Sequence, residues 1–207
     1  MNALLRAAFK SARLLLVYAV LGTAVLAFVY QITHVEIQKN EDNTRRKLVA
    51  ETLVPQSYNN DLLSNQLTLL ADPLLGDDGP TSLAWQARLN QHPVAVVLEA
   101  TAPDGYGGKI SLLVGVGVDG HITGVRVVEH HETPGLGDYI ELTKSAWIHV
   151  LDGKSLQNPD DTGWQVKKDG GQFDYMTGAT ITPRAVIKAV HNALQYAMLH
   201  HNTLFTN

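Results

Sequence analysis

The chain contains no cysteine. That excludes disulfides, iron–sulfur ligation and thiol catalysis by its own side chains, so a redox role needs a borrowed cofactor. Positive charge is not in excess either: 16 Lys and Arg stand against 20 Asp and Glu, a formal net charge of −4. No basic surface offers itself to nucleic acid, which is set aside as a partner. The sequence has no internal repeat and no low-complexity stretch. It also lacks a lysine-bearing phosphate loop, a His-Glu-x-x-His helix and any recognisable protease or hydrolase motif. What remains is 207 residues, enough for one medium-sized domain or a small domain with appendages.

Charge is missing altogether from Leu14 to Thr33, LLLVYAVLGTAVLAFVYQIT. Twenty helical residues rise about 30 Å, the thickness of a bilayer's hydrocarbon core. The competing reading is a cleaved signal peptide, with Arg6, Lys10 and Arg13 as its positive start; the length of the apolar run favours a span. A soluble helix apolar on every face would need a larger protein around it. Three basic residues precede the span and a mixed segment follows it, so the N-terminus is expected in the cytoplasm of a bacterium and the rest beyond its inner membrane. Tyr30 suits the interface belt. The expected organisation is a cytoplasmic N-terminus at 1–13, a transmembrane helix at 14–33, a stalk and helical segment at 34–90, and a folded domain at 91–207.

Val35 to Leu53 is rich in helix formers up to Pro55 and predicts a polar stalk. Three β-branched runs then predict antiparallel strands: Val94 to Ala102, Lys109 to Val118 and His121 to His130. The last two are joined through Asp119-Gly120, a pair favoured in type I′ turns. Between the first two lies PDGYGG, whose glycines permit a close backbone approach. YIELTKSAWIHVLDG has helical periodicity with Gly153 as its cap, and GWQVKKDGGQFDYM predicts a second hairpin turning at Asp169-Gly170-Gly171. A final helix is expected from Thr182 as N-cap, with Pro183 at its first position and Val186, Ala189, Val190, Ala193, Leu194, Ala197 and Met198 as its apolar stripe. The fold class is α+β, with antiparallel strands packed against helices behind a single N-terminal transmembrane helix.

Just before that helix stands DYMTGAT, Asp174 to Thr180. No base and orienting acid are arranged to make a threonine here a nucleophile, so Thr180 suits the role of acceptor for a group attached by another enzyme. Gly178 and Ala179 strip bulk from beside it. A phosphoester on Thr180 would lie by a helix N-terminus, where unpaired N–H groups and the helix dipole favour negative charge. The plain alternative is a loop that ends in an N-cap.

The run DYMTGAT resembles the flavinylation motif of the FMN-binding domains of the Rnf and sodium-pumping NADH:quinone reductase complexes. A second stretch, HETPGLGD from His131 to Asp138, is similar to the Glu-Thr-Pro-Gly-Leu-Gly loop of the same family. The single span, the GYGG turn and the position of the last helix fit its Rnf G-subunit branch. The resemblance implies an FMN joined covalently to Thr180 by a phosphodiester bond that a flavin transferase installs, with Asp174 recognised by the transferase. Thr177, Gly178 and Ala179 would cradle phosphate and ribityl chain. Glu132, Thr133, Pro134, Gly135, Leu136 and Gly137 would line the isoalloxazine, with Trp147 and Tyr106 packing near it. The first hydroxyl of the motif, often serine in the family, is threonine here, a change that keeps donor and acceptor.

The implied role is an electron-carrier subunit, not catalytic alone, of an ion-translocating complex that couples electron transfer between ferredoxin and NAD to ion movement. Its partners would be the other proteins of the complex, the transferase and the lipid bilayer. Two further readings are the C subunit of the sodium-pumping reductase, usually a longer chain, and an anchored assembly or binding module without flavin. No metal is expected: His130 and His131, adjacent on a strand, would point to opposite faces, and neither Asp77-Asp78 nor Asp160-Asp161 matches a calcium loop. Lys109 and Lys144 are candidates to neutralise a phosphate or a reduced ring.

Overall fold

A computed structural model describes residues 2–76 and 79–206, without the side chains of 2–7, 35, 38, 39, 41 and 42. Asp77 and Asp78, read above as solvated turn residues, lie outside the described residues. The chain divides into two compact units, Met1–Arg45 and Arg46–Asn207. Helix α1 runs Asn2–Glu51. Within it Ala8–His34 is long and apolar enough to cross a membrane, and its large apolar side chains, Leu15, Leu26 and Phe28 among them, are exposed. Exposure of apolar groups on every face is the pattern of a helix solvated by lipid. The stretch Leu14 to Thr33 falls inside it.

The second unit is built on one five-stranded antiparallel sheet in sequential order: β1 Gln66–Leu70, β2 Thr81–Leu89, β3 His92–Gly105, β4 Gly108–Gly117 and β5 Ile122–Glu129. Alternation along the strands feeds two cores. Val96, Leu98 and Ala100 of β3, with Ile110, Leu112 and Val114 of β4, face one cluster; Ala95, Val97 and Leu113 face the other. The first is roofed by helix α2, Ile181–Leu199, through Val186, Ile187, Val190 and Leu194, and extended by Ile148, Leu151, Trp164 and Phe173. The second is closed by Val49, Leu53 and Leu62 over Trp85. Burial on both faces explains why β3 and β4 read as nearly unbroken apolar runs. A short helix α3, His201–Leu204, ends the chain's regular structure, and Leu204 is buried against the sheet's first face.

Four local features differ from the sequence expectations. β1 and β2 lie within the segment 34–90 read as stalk and helices. β1 carries one buried leucine, Leu69, and β2 breaks alternation with four consecutive buried residues, so neither shows a clean period of two. The β4–β5 connection is longer than a type I′ pair: Gly120 N–H donates to Gly117 O at 2.9 Å, and of Asp119 and Gly120 only the glycine has positive φ.

Tyr139 to Gly153 forms two 3-10 turns, Asp138–Ile140 and Ala146–Leu151, and no α-helix. Ser145 interrupts it in an extended conformation, its Oγ accepting from Trp147 N–H, a side-chain bond that competes with helix continuation. The 163–176 segment is likewise no hairpin. It makes 3-10 turns at Asp161–Gly163 and Lys167–Asp169 and a single parallel bridge, Val166 to Phe173. Burial of Trp164 beside Phe173, ring centroids 5.2 Å apart, takes the place of a ladder.

Candidate functional site

α2 starts two residues earlier than its Thr-Pro signal suggests. Thr180 is the N-cap and Ile181 the first helical residue, while Thr182 lies inside the first turn and does not cap it. Thr180 sits in αR geometry, and its hydroxyl makes no capping bond. It is half-buried at the open end of the helix. Helix geometry leaves the N–H groups of Ile181 and Thr182 without intrahelical partners, and Pro183 has none to offer. The run before it turns tightly: Ala179 N–H donates to Met176 O at 3.0 Å, with Gly178 at φ +91°. That left-handed position explains a glycine within TGAT.

The second motif is the connection after β5. Gly137 N–H and Leu136 N–H both donate to Thr133 O, at 2.9 and 3.1 Å, and Gly135 N–H donates to the buried Asp138 Oδ1 at 2.8 Å. The neck of this loop is closed by His130 and Glu141, Nε2 to Oε1 at 2.6 Å, while His130 Nδ1 accepts from Glu132 N–H at 3.0 Å. The imidazole Nε2–H is therefore the donor to Glu141. That hydrogen bond, ahead of the effect of Thr143, holds the Glu141 carboxyl below its usual value of 4.5. A carboxyl depressed in the folded state stabilises above its unfolded pKa and loses that contribution as pH falls through the folded one. The stability gap between wild type and Glu141→Gln, no more than about 1 kcal/mol at a site a third exposed, should shrink as urea midpoints are measured from about pH 6 to about pH 3.

The two motifs meet through side chains. Met176 N–H donates to the Tyr139 hydroxyl at 3.3 Å, and Trp147 Nε1–H donates to Asp174 O at 2.7 Å. The two rings pack edge to face, centroids 5.4 Å apart. Burial raises the Tyr139 hydroxyl above its ordinary pKa and keeps it neutral. Glu132, buried, makes the third link: its Oε1 accepts from Gly107 N–H at 2.8 Å and its Oε2 accepts from the Thr182 hydroxyl. The GYGG turn is thus approached by the chain itself. A Cβ at Gly107 would overlap the carbonyl of His131 and stand 3.0 Å from Glu132 N.

Between the motifs opens a cleft of about 280 Å³. Tyr106, Glu132, Thr133, Leu136 and Gly137 line one side, and Gly178, Ala179 and Thr180 the other. Pro134, Gly135 and Thr177 stand outside its lining, on the exposed surface. Trp147, expected near a ring, braces the backbone before the TGAT run and is not part of the lining. The Asp174 side chain is exposed and paired with Lys167 at 2.6 Å. Lys144 approaches Asp138 at 3.8 Å and, like Lys109, is not part of the lining. Ile181 and Thr182 complete the cleft and were not among the expected site residues, because the sequence assigned Thr182 to capping.

Comparison with known proteins bears on this geometry. Residues 105–195 match the FMN-binding domain family, a segment that contains every residue lining the cleft, and residues 1–51 match the RnfG N-terminal region. The G subunit of an ion-translocating oxidoreductase complex from Pseudomonas aeruginosa is 51% identical over 191 residues, covering 92% of this chain and 89% of the relative. The chain belongs to the G-subunit family of ion-translocating oxidoreductase complexes. Other relatives are the G subunits of Cronobacter sakazakii, 49% identical over 88% of this chain and 86% of its own, and of Shewanella loihica, 41% identical over 96% and 93%. The likeness thus covers the apolar helix and the sheet domain alike, and FMN is the cofactor class of the domain that holds the cleft.

Proposed function

We propose that this chain is the flavin-carrying subunit of an ion-translocating ferredoxin:NAD oxidoreductase. It would be anchored by α1 in the bacterial inner membrane with its N-terminus cytoplasmic and residues 46–207 periplasmic, and FMN would be joined to Thr180 Oγ1 by a phosphodiester. The observation that carries the reading is the position of Thr180. Its hydroxyl, free of any capping bond, stands at the open N-terminus of α2 on the rim of a cleft lined by both motifs.

The residues fit the group. The N–H groups of Ile181 and Thr182 suit the charge of a phosphodiester, Gly178 and Ala179 leave room beside it, and the apolar faces of Leu136 and Tyr106 suit a flat aromatic ring. Bound FMN supplies electron transfer in steps of one electron, chemistry that no side chain of this cysteine-free chain provides. The protein's share is to fix the attachment point, to line the ring with apolar surface, and to keep the cofactor from leaving a compartment that does not replenish it.

The test is co-expression with a flavin transferase. A band that fluoresces under ultraviolet light on a denaturing gel, a mass gain of FMN less water, and a modified peptide containing Thr180 are the expected results. An unmodified chain beside an active transferase overturns the covalent reading.

A further inference from the structure

Thr177, Thr180 and Thr182 lie within six residues, all with hydroxyls near one helix start. The structure separates them. Thr182 is 1% exposed and its hydroxyl is committed to Glu132 Oε2; Glu132 is itself 4% exposed and holds the GYGG turn through its other oxygen. The absence of a side chain at Gly137 makes room for this pair, since a Cβ there would stand 2.9 Å from Glu132 Cβ and 3.0 Å from Thr182 Oγ1.

The bond takes the Thr182 hydroxyl out of helix capping. A Thr-Pro pair is a strong capping signal, and a Thr182 hydroxyl released from Glu132 would be free to turn back onto the helix's own N–H groups. The helix would then start two residues later, and Thr180 would leave its end for the preceding loop. With the hydroxyl held by Glu132, Thr180 occupies the N-cap and its own hydroxyl is left unused. From this geometry we infer that Glu132, acting through Thr182, is the positioning residue that selects Thr180 as the flavin acceptor. The inference rests on the covalent-flavin function proposed above.

The step so positioned is a phosphoryl transfer without change of oxidation state. The donor must carry an activated phosphate, as a flavin–nucleotide pyrophosphate does. Thr180 Oγ1 bonds to the flavin-side phosphorus, the anhydride P–O bond breaks, the nucleoside monophosphate leaves with the bonding pair, and the hydroxyl proton passes to solvent or to the transferase. Glu132 touches none of the reacting atoms. It fixes the backbone that presents one of them next to unpaired N–H groups, where the diester's charge is favoured.

The experiment follows flavin loading of the full-length chain in detergent, with purified transferase and a saturating flavin–adenine pyrophosphate, by intact mass over time and by peptide mapping. Thr182→Val removes the hydroxyl at nearly constant volume. It should slow loading between about ten- and a hundredfold, as expected for a misplaced reacting group, and send a measurable share of the flavin to Thr177. Thr182→Ser, which restores the hydroxyl, should recover most of the rate. Combining Glu132→Ala with Thr182→Val should slow loading no further than the worse single change, because the two act as one unit.

Thermal melts of each variant separate lost positioning from lost folding; Thr182→Ser against Thr182→Val keeps the comparison informative where Glu132→Ala does not fold. A folded Thr182→Val chain that loads on Thr180 at the wild-type rate overturns this inference alone. A wild-type chain that takes up no flavin overturns the proposed function with it.

Discussion

A Thr180→Val chain made beside an active flavin transferase should be dark on a denaturing gel and show the mass of the bare polypeptide. Valine keeps the branched shape and removes only the oxygen that would carry the phosphodiester. The change should cost little stability, because the Thr180 hydroxyl makes no capping bond and the residue is half-buried at a helix end. A surface change of this kind lies within about 0.5 kcal/mol, so loss of flavin and loss of fold are readily told apart by a thermal melt. Thr180→Ser, with its hydroxyl retained, should still be modified. Flavin found on the valine variant would move the attachment to another hydroxyl and refute the assignment.

The second large effect is on stability. Gly107→Ala places a methyl where the His131 carbonyl already stands, and the obstructing atoms are backbone, which no rotamer change relieves. The turn must move away from Glu132, and the hydrogen bond from Gly107 N–H to Oε1 goes with it. Overpacking costs about 1–3 kcal/mol, and a buried carboxylate deprived of a donor costs about the same again. A loss of roughly 3 kcal/mol or more in a urea titration is expected. Gly178→Ala is the useful contrast. A Cβ there meets nothing within 4 Å, and the only penalty is its positive φ of 91°, worth about 1–2 kcal/mol. A Gly107→Ala chain as stable as Gly178→Ala would show that the GYGG turn yields more easily than its packing implies.

Several of these features could be read from the residues alone. The apolar run of α1, the three central strands and the stripe of α2 follow from hydrophobic patterning, and the residues that line the cleft come largely from the two short motifs. Other features were hidden for identifiable reasons. β2 buries four residues in succession, from Ala84 to Ala87, which erases alternation. The Tyr139 to Gly153 stretch has apolar spacing that suits a 3-10 turn as well as an α-helix, and a serine hydroxyl decides between them. Thr182 carries a capping signature, but a carboxylate fifty positions away in the chain takes its hydroxyl. Pairing over such a distance leaves no local trace, and that is why the cleft's deepest bond was the part least visible in the sequence.

The separation between the sheet's two sealed cores and the loops around the cleft also bears on how such a chain can change over time. Tyr106, Leu136 and Thr180 line the cleft and belong to neither core cluster, whereas Leu98, Ile110 and Leu112 are core residues outside the cleft's lining. Mutations that adjust the surroundings of a cofactor can then accumulate without eroding the margin of stability, a freedom that most proteins obtain only by placing their sites on loops. Glu132 and Thr182 are the exceptions. Buried and paired with each other, they answer to both demands, so drift that is tolerated elsewhere around the rim should be least tolerated there.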